Sequence, residues 1–136
     1  MSTVSDKNDM LELYTASLML MLASVDDQLD PSEIDIIKDI LIDFFNIDSK
    51  KSEQLIIDSH ELIKKITDIY EITSFINDSF NKQEKIDLLC CIFEIAYCDK
   101  KFHFMERHLI NQIANILNIN KDELLKAKKE IQDYLF

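Results

Sequence analysis

Two short acidic segments carry the residue types best suited to chemistry in this 136-residue chain. In the first, Asp26, Asp27, Asp30 and Glu33 fall within eight residues. The second keeps Asp99 and Glu106, but Lys100, Lys101 and His103 stand between them. Hard divalent cations want several carboxylate and carbonyl oxygens converging from a loop, and the first segment supplies them. Ca²⁺ and Mg²⁺ are the cations that suit such donors, and the lysine-bearing second segment should hold a dication less well. The same residues also fit a role without any ligand. Aspartate before a helix and glutamate in its first turn are ordinary caps that favour the positive helix end. Residue types alone leave both roles open.

Other constellations are thinner. Asp35, Asp39 and Asp43 recur at i, i+4, i+8 and form one acidic stripe on a helix. Like charges at that spacing cost about 0.2–0.5 kcal/mol per pair, so the stripe is either a docking face for a basic protein partner or simply a solvated surface. Cys98, His103 and His108 supply only half of a zinc pattern. The thiols of Cys90 and Cys91 sit in the apolar run Leu88-Leu-Cys-Cys-Ile-Phe, which should raise their pKa and leave them inert.

Composition removes whole reaction classes. The chain has no glycine and one proline. Without glycine there is no Walker loop, no dinucleotide-binding Gly-x-Gly-x-x-Gly, no Gly-x-Ser-x-Gly elbow and no EF-hand loop. An acid–base enzyme would need a carboxylate in an enclosed apolar pocket with a raised pKa, and no motif announces one. A non-enzymatic protein is expected.

Charge is uneven. Residues 1–80 hold 17 acids and 6 bases, whereas residues 81–136 hold 9 of each, so the whole net charge of −11 lies in the first part. Such a surface repels nucleic acid and anionic lipid and favours cations or basic partners, besides keeping the protein soluble. No nucleic-acid binding is expected, and the Lys126, Lys128, Lys129 cluster should complement the negative end of a final helix. Three cysteines in one apolar segment form no disulfide framework. The run Leu18–Val25 lacks a basic leader, and no uncharged stretch could span a bilayer. The expectation is a cytoplasmic protein without membrane insertion.

Apolar residues recur at three- and four-residue spacing throughout, which predicts an all-α chain of six to seven helices. The first should run from about Asn8 to Val25, with Leu11, Tyr14, Leu18, Leu22 and Val25 along one face. Asp30 as cap, Pro31 at the first helical position and Glu33 at the third open a second helix, which runs to about Phe45. Further helices are expected after a cap at Asp48 or Ser49 to Lys65, over 68–77, from Lys82 to Cys98, from Phe104 to Leu117, and after Asn120, which with Glu123 three residues on starts the last. Residues 1–136 are expected to form one domain.

Internal similarity organises these elements. At an offset of 73, Ala23, Asp26, Leu29 and Glu33 meet Ala96, Asp99, Phe102 and Glu106, and Ile37 and Ile40 meet Ile110 and Ile113. With one residue of slippage, Asn46-Ile47-Asp48 meets Asn118-Ile119-Asn120. Two pseudo-repeated helical hairpins, over about 8–65 and 82–136, should pack as one compact bundle, joined by the short helix near 68–77.

The segment Phe93-Glu-Ile-Ala-Tyr-Cys-Asp-Lys-Lys-Phe-His-Phe-Met-Glu106, with the Ile-x-x-Ile-Ala-x-x-Leu helix that follows, resembles the tellurite-resistance TerB-like family. Leu20–Leu41 resembles that family's first copy. The resemblance covers about Leu11 to Leu135. It implies an all-helical, pseudosymmetric domain of bacterial stress proteins, found also N-terminal to some J-domain co-chaperones. No J domain follows here, so a complete co-chaperone is not expected. The family's acidic residues, candidate divalent-cation ligands, fall on Asp26, Glu33, Asp99 and Glu106. Asp27 and Asp30 join them through charge and proximity. Where the family has Asp-Gly, this chain has Asp26-Asp27 and Asp99-Lys100, so those turns must form without glycine. The expected function is binding of a divalent cation, a basic protein partner or both. The alternative is a purely structural interaction adaptor whose loop acids are helix caps.

Overall fold

A computed structural model describes residues 3–24, 31–66, 68–97 and 104–135, with side chains described from residue 8 in the first stretch and residue 107 in the last. Its helices are α1 (Thr3–Ala23), α2 (Pro31–Phe45), α3 (Ser49–Ile63), α4 (Ile69–Ser79), α5 (Lys82–Ala96), α6 (Phe104–Ile116) and α7 (Lys121–Leu135). No strand occurs among the described residues. The expected all-α chain of six to seven helices is therefore what forms. The main boundary difference is α1, which starts at Thr3 rather than near Asn8.

Local chemistry sets the helix starts. A first turn leaves backbone amides without carbonyl partners, and a side-chain oxygen just before it can accept one of them. Asp48 Oδ1 accepts from Lys51 N at 2.8 Å, and Asp68 Oδ1 accepts from Tyr70 N at 2.9 Å. At α5, Asn81 and Glu84 exchange side chain-to-backbone bonds, each 2.9 Å long, in a reciprocal capping box. Asn120 and Glu123 do the same at α7, at 2.8 and 3.1 Å. Removing the Asp48 carboxylate with Asp48→Ala should cost about 1 kcal/mol, measurable as a lower urea midpoint at unchanged slope.

Helix ends normally use glycine in the left-handed conformation, and this chain has none. Asparagine takes that role. Asn46 (φ 53°) and Asn118 (φ 59°) are the positive-φ residues described. In each case the following isoleucine N–H reaches back five residues: Ile47 N to Ile42 O at 3.2 Å, and Ile119 N to Ala114 O at 2.9 Å. This is the six-to-one bond of a Schellman stop. The next residue, Asp48 or Asn120, then caps the following helix. Asn-Ile-Asp and Asn-Ile-Asn are thus matching stop-and-start joints, one in each repeat.

The core is built around α1. It packs on α2, α3, α4, α5 and α6. Leu18, Met19 and Leu20 are consecutive and fully buried, with Ala16 and Leu22 beside them. The expected face of Leu11, Tyr14, Leu18 and Leu22 is covered, with Val25 outside the described residues, but a helix apolar on one side cannot bury three successive positions, so other faces are covered too. This segment is enclosed on all sides. Around it lie Ile37 and Leu41 of α2, Ile72 and Ile76 of α4, and Leu88, Leu89 and Ile92 of α5, all fully buried. α5 packs on α7 as α1 packs on α3, which carries the sequence repeat into the packing. The α4 helix bridges the halves by contacting α1 and α6.

Candidate functional site

Both acidic segments fall between the first two helices of a repeat. The first joins the end of α1 at Ala23 to Pro31, and the second joins the end of α5 at Ala96 to Phe104. Of the six candidate cation ligands, Asp26, Asp27, Asp30 and Asp99 lie outside the described residues. So do Cys98, His103 and the Asp27 and Lys100 positions that lack the family's glycine. Glu33 and Glu106 occupy the same place in their helices, the third residue of α2 and of α6. Glu33 is buried, at 9% relative exposure. The capping-box Glu84 is exposed by comparison, so Glu33 does not simply repeat the environment of that cap.

The stripe expected on α2 is realised. Asp35, Asp39 and Asp43 are all exposed along one side of the helix. Lys38 lies 3.8 Å from Asp35 and 3.8 Å from Glu53 of α3, so part of the stripe is balanced at its N-terminal end. At the other end it extends onto α5. Burial, and then the neighbouring Asp43 carboxylate, raise the Glu94 carboxyl above its ordinary pKa. Sequence alone missed Glu94, because its place in this patch depends on α2 packing against α5.

That shift has a thermal consequence. A carboxyl whose pKa is raised by folding binds its proton more tightly in the folded state. It therefore subtracts stability as pH rises through the folded value and subtracts none below the unfolded one. Glu94→Gln should raise Tm at neutral pH and leave it unchanged near about pH 3, as followed by scanning calorimetry.

A second acidic feature, also missed, ties α1 to α3. The Glu12 side chain is buried at 8% exposure, with its Oε1 3.0 Å from Lys51 Nζ, and Asp9 lies 3.9 Å from the same ammonium. The hydrogen bond with Glu12 is the main reason the Lys51 pKa is raised. Beside this pair runs a groove of about 380 Å³ with Met10, Leu13 and Leu55 in its walls and Asp58 at its edge.

The thiols behave as their apolar run implies, although they are half-buried rather than enclosed. Desolvation, helped by nearby acids, pushes Cys90 up to about 11 and Cys91 up to about 12. Only the thiolate attacks an electrophile. Iodoacetamide should therefore label both slowly at pH 7.5, with a rate still rising above pH 9. The lysine cluster needs a correction. Lys126, Lys128 and Lys129 lie in the middle of α7, whose last turn holds no basic residue, so they do not complement its C-terminal end.

Fold and site together define an all-α, internally repeated domain with an acidic inter-helix segment in each half. A family model described as tellurite resistance protein TerB matches residues 12–129. The chain belongs to the TerB family. No curated protein and no solved structure matches it. No helix among the described residues is long and apolar enough to cross a membrane.

Proposed function

We propose that this TerB-family chain is a non-catalytic, cytoplasmic stress-response module whose first half recognises positive charge. Two forms of that charge suit it: a basic protein partner on the α2 stripe, and Ca²⁺ or Mg²⁺ held by Asp26, Asp27, Asp30 and Glu33. Asp99 and Glu106 would form the weaker second cation site. The observation that carries the proposal is the exposed row Asp35, Asp39 and Asp43, continued by Glu94. Like charges in that row oppose one another at a cost in helix stability, and a cationic partner relieves that repulsion.

The test separates binding from folding. Asp39→Asn removes two like-charge pairs, each worth about 0.2–0.5 kcal/mol. It should raise thermal stability slightly while weakening binding of a fluorescent lysine-rich peptide, read by anisotropy. Equal peptide affinity in the variant and the parent would remove the stripe from the proposal.

One observation favours the alternative, a structural adaptor with capping acids. Glu84 and Glu123, at the third position of α5 and α7, both close capping boxes. Glu33 and Glu106 stand at that same position. If they serve only as caps, Glu33→Ala lowers stability equally with and without divalent cation.

A further inference from the structure

We propose that the groove between α6 and α7 docks an acidic amphipathic helix of a partner protein, a role separate from the acidic surface of the first half. The groove has a volume of about 410 Å³. Phe93 of α5, Ile110 of α6 and Leu124 of α7 give it an apolar lining, while Arg107 stands on one side and Lys121 and Lys128 on the other. Among the described residues that line it, none is acidic.

Its origin is visible in the repeat. In the first half α2 packs closely on α3. Two ties hold that crossing: Ser52 Oγ donates to Lys38 O at 2.9 Å, and Lys38 Nζ lies 3.8 Å from Glu53. Ser52 is fully buried, a small residue that lets the two backbones approach. The repeat aligns Lys38 with Asn111, and Ser52 and Glu53 with Leu124 and Leu125. A leucine cannot donate the hydrogen bond, it occupies more space, and the ion pair has lost both charges. Among the described residues, α6 and α7 are accordingly absent from the closely packed helix pairs. The same alignment replaces half-buried Ile34 and buried Ile56 with Arg107 and Lys128. Two apolar, at least half-buried positions of the first half have become cationic rims in the second.

This shape and charge select the occupant. Lys121, Leu125 and Lys128, at i, i+4 and i+7, extend over about 10 Å of α7, and Leu125 is 50% exposed. An apolar trough between two basic edges complements a helix with an apolar stripe flanked by aspartate and glutamate on both sides. Such a helix would place apolar side chains where α7 would otherwise have met α6. Its carboxylates would face Arg107 across the trough from Lys121 and Lys128.

The experiment is a selection from a displayed library of helical peptides on the full chain, followed by anisotropy with the best peptide. Enriched peptides should carry Leu, Ile or Phe at i, i+3 or i+4, and i+7, with acids flanking them. Arg107→Glu/Lys128→Glu should weaken binding at least about tenfold, added salt should weaken it further, and Asp39→Asn should leave it unchanged. Arg107→Ala/Lys128→Ala, a gentler pair, keeps the test valid if the charge reversal disturbs folding. Three results would overturn the proposal. One is a selection that yields no binder or binders without acidic bias. Another is affinity indifferent to both double variants. The third is a dimer of the chain itself, detected by sedimentation and lost in Leu125→Glu, which would make a second copy the occupant.

Discussion

Leu18→Ala is expected to destabilise the protein by about 2–5 kcal/mol and to lower Tm by on the order of 10 °C. Leu18 is fully buried in the stretch of α1 that is enclosed on all sides, between helices of both repeats. Truncation removes its transfer free energy and leaves a cavity that five surrounding helices cannot all collapse to fill. Because the surroundings belong to both halves, the loss should appear as one cooperative transition rather than the melting of a single hairpin. Leu125→Ala is the control. That side chain is half exposed, so its truncation should fall within about 0.5 kcal/mol. Equal losses at the two positions would mean that α1 is not the centre of the core.

The joint pair Asn46→Val/Asn118→Val should cost nearly as much. A left-handed backbone is unfavourable by about 1–2 kcal/mol for most residues with a Cβ, asparagine being spared much of this by its short polar side chain, and it is most unfavourable for a β-branched residue. The two joints use separate backbone bonds, at Ile47 and at Ile119, so their losses should add to about 2–4 kcal/mol. Asn46→Gly/Asn118→Gly should instead match or exceed the parent, because glycine takes this conformation without steric cost. Chemical denaturation of both double variants gives the comparison. Valine tolerated at both sites would show that the helix stops do not depend on the left-handed turn.

Helix starts were legible in the sequence because capping is local. Asp48, and Asn120 with Glu123, need only their own first turn, and the structure has them bonded as the sequence reading expects. The Asn-Ile repeat was visible as well, but its conformational meaning was not. Attention to glycine pointed to Asp27 and Lys100, whereas the left-handed residues described are the asparagines. The periodicity of α1 marks one of its buried faces and leaves the others unmarked. Which sides of a helix are covered is decided by its neighbours, and those come from distant sequence.

The candidate site was legible in part. The α2 stripe needed only helical spacing. Glu94 joined it through tertiary packing, and Lys128 passed from a supposed helix-end charge to a groove rim once α7 had a length. The groove itself depends on what Leu124 replaces at a helix crossing. Aligning the repeats shows the exchange of Ser52 for Leu124, but the consequence requires knowing that Ser52 is the point of close approach.

Cation recognition by the first repeat can be decided by a calcium titration followed by amide NMR. Saturable shifts are expected, centred on residues 26–33, with the Glu33 amide among them and weaker changes around 99–106. Asp26→Asn/Glu33→Gln should abolish the first set. At a concentration one hundred times Kd the bound ion would also add about 2.7 kcal/mol of stability. Shifts that never saturate and scatter over surface carboxylates, or a response unchanged in the double variant, would contradict it.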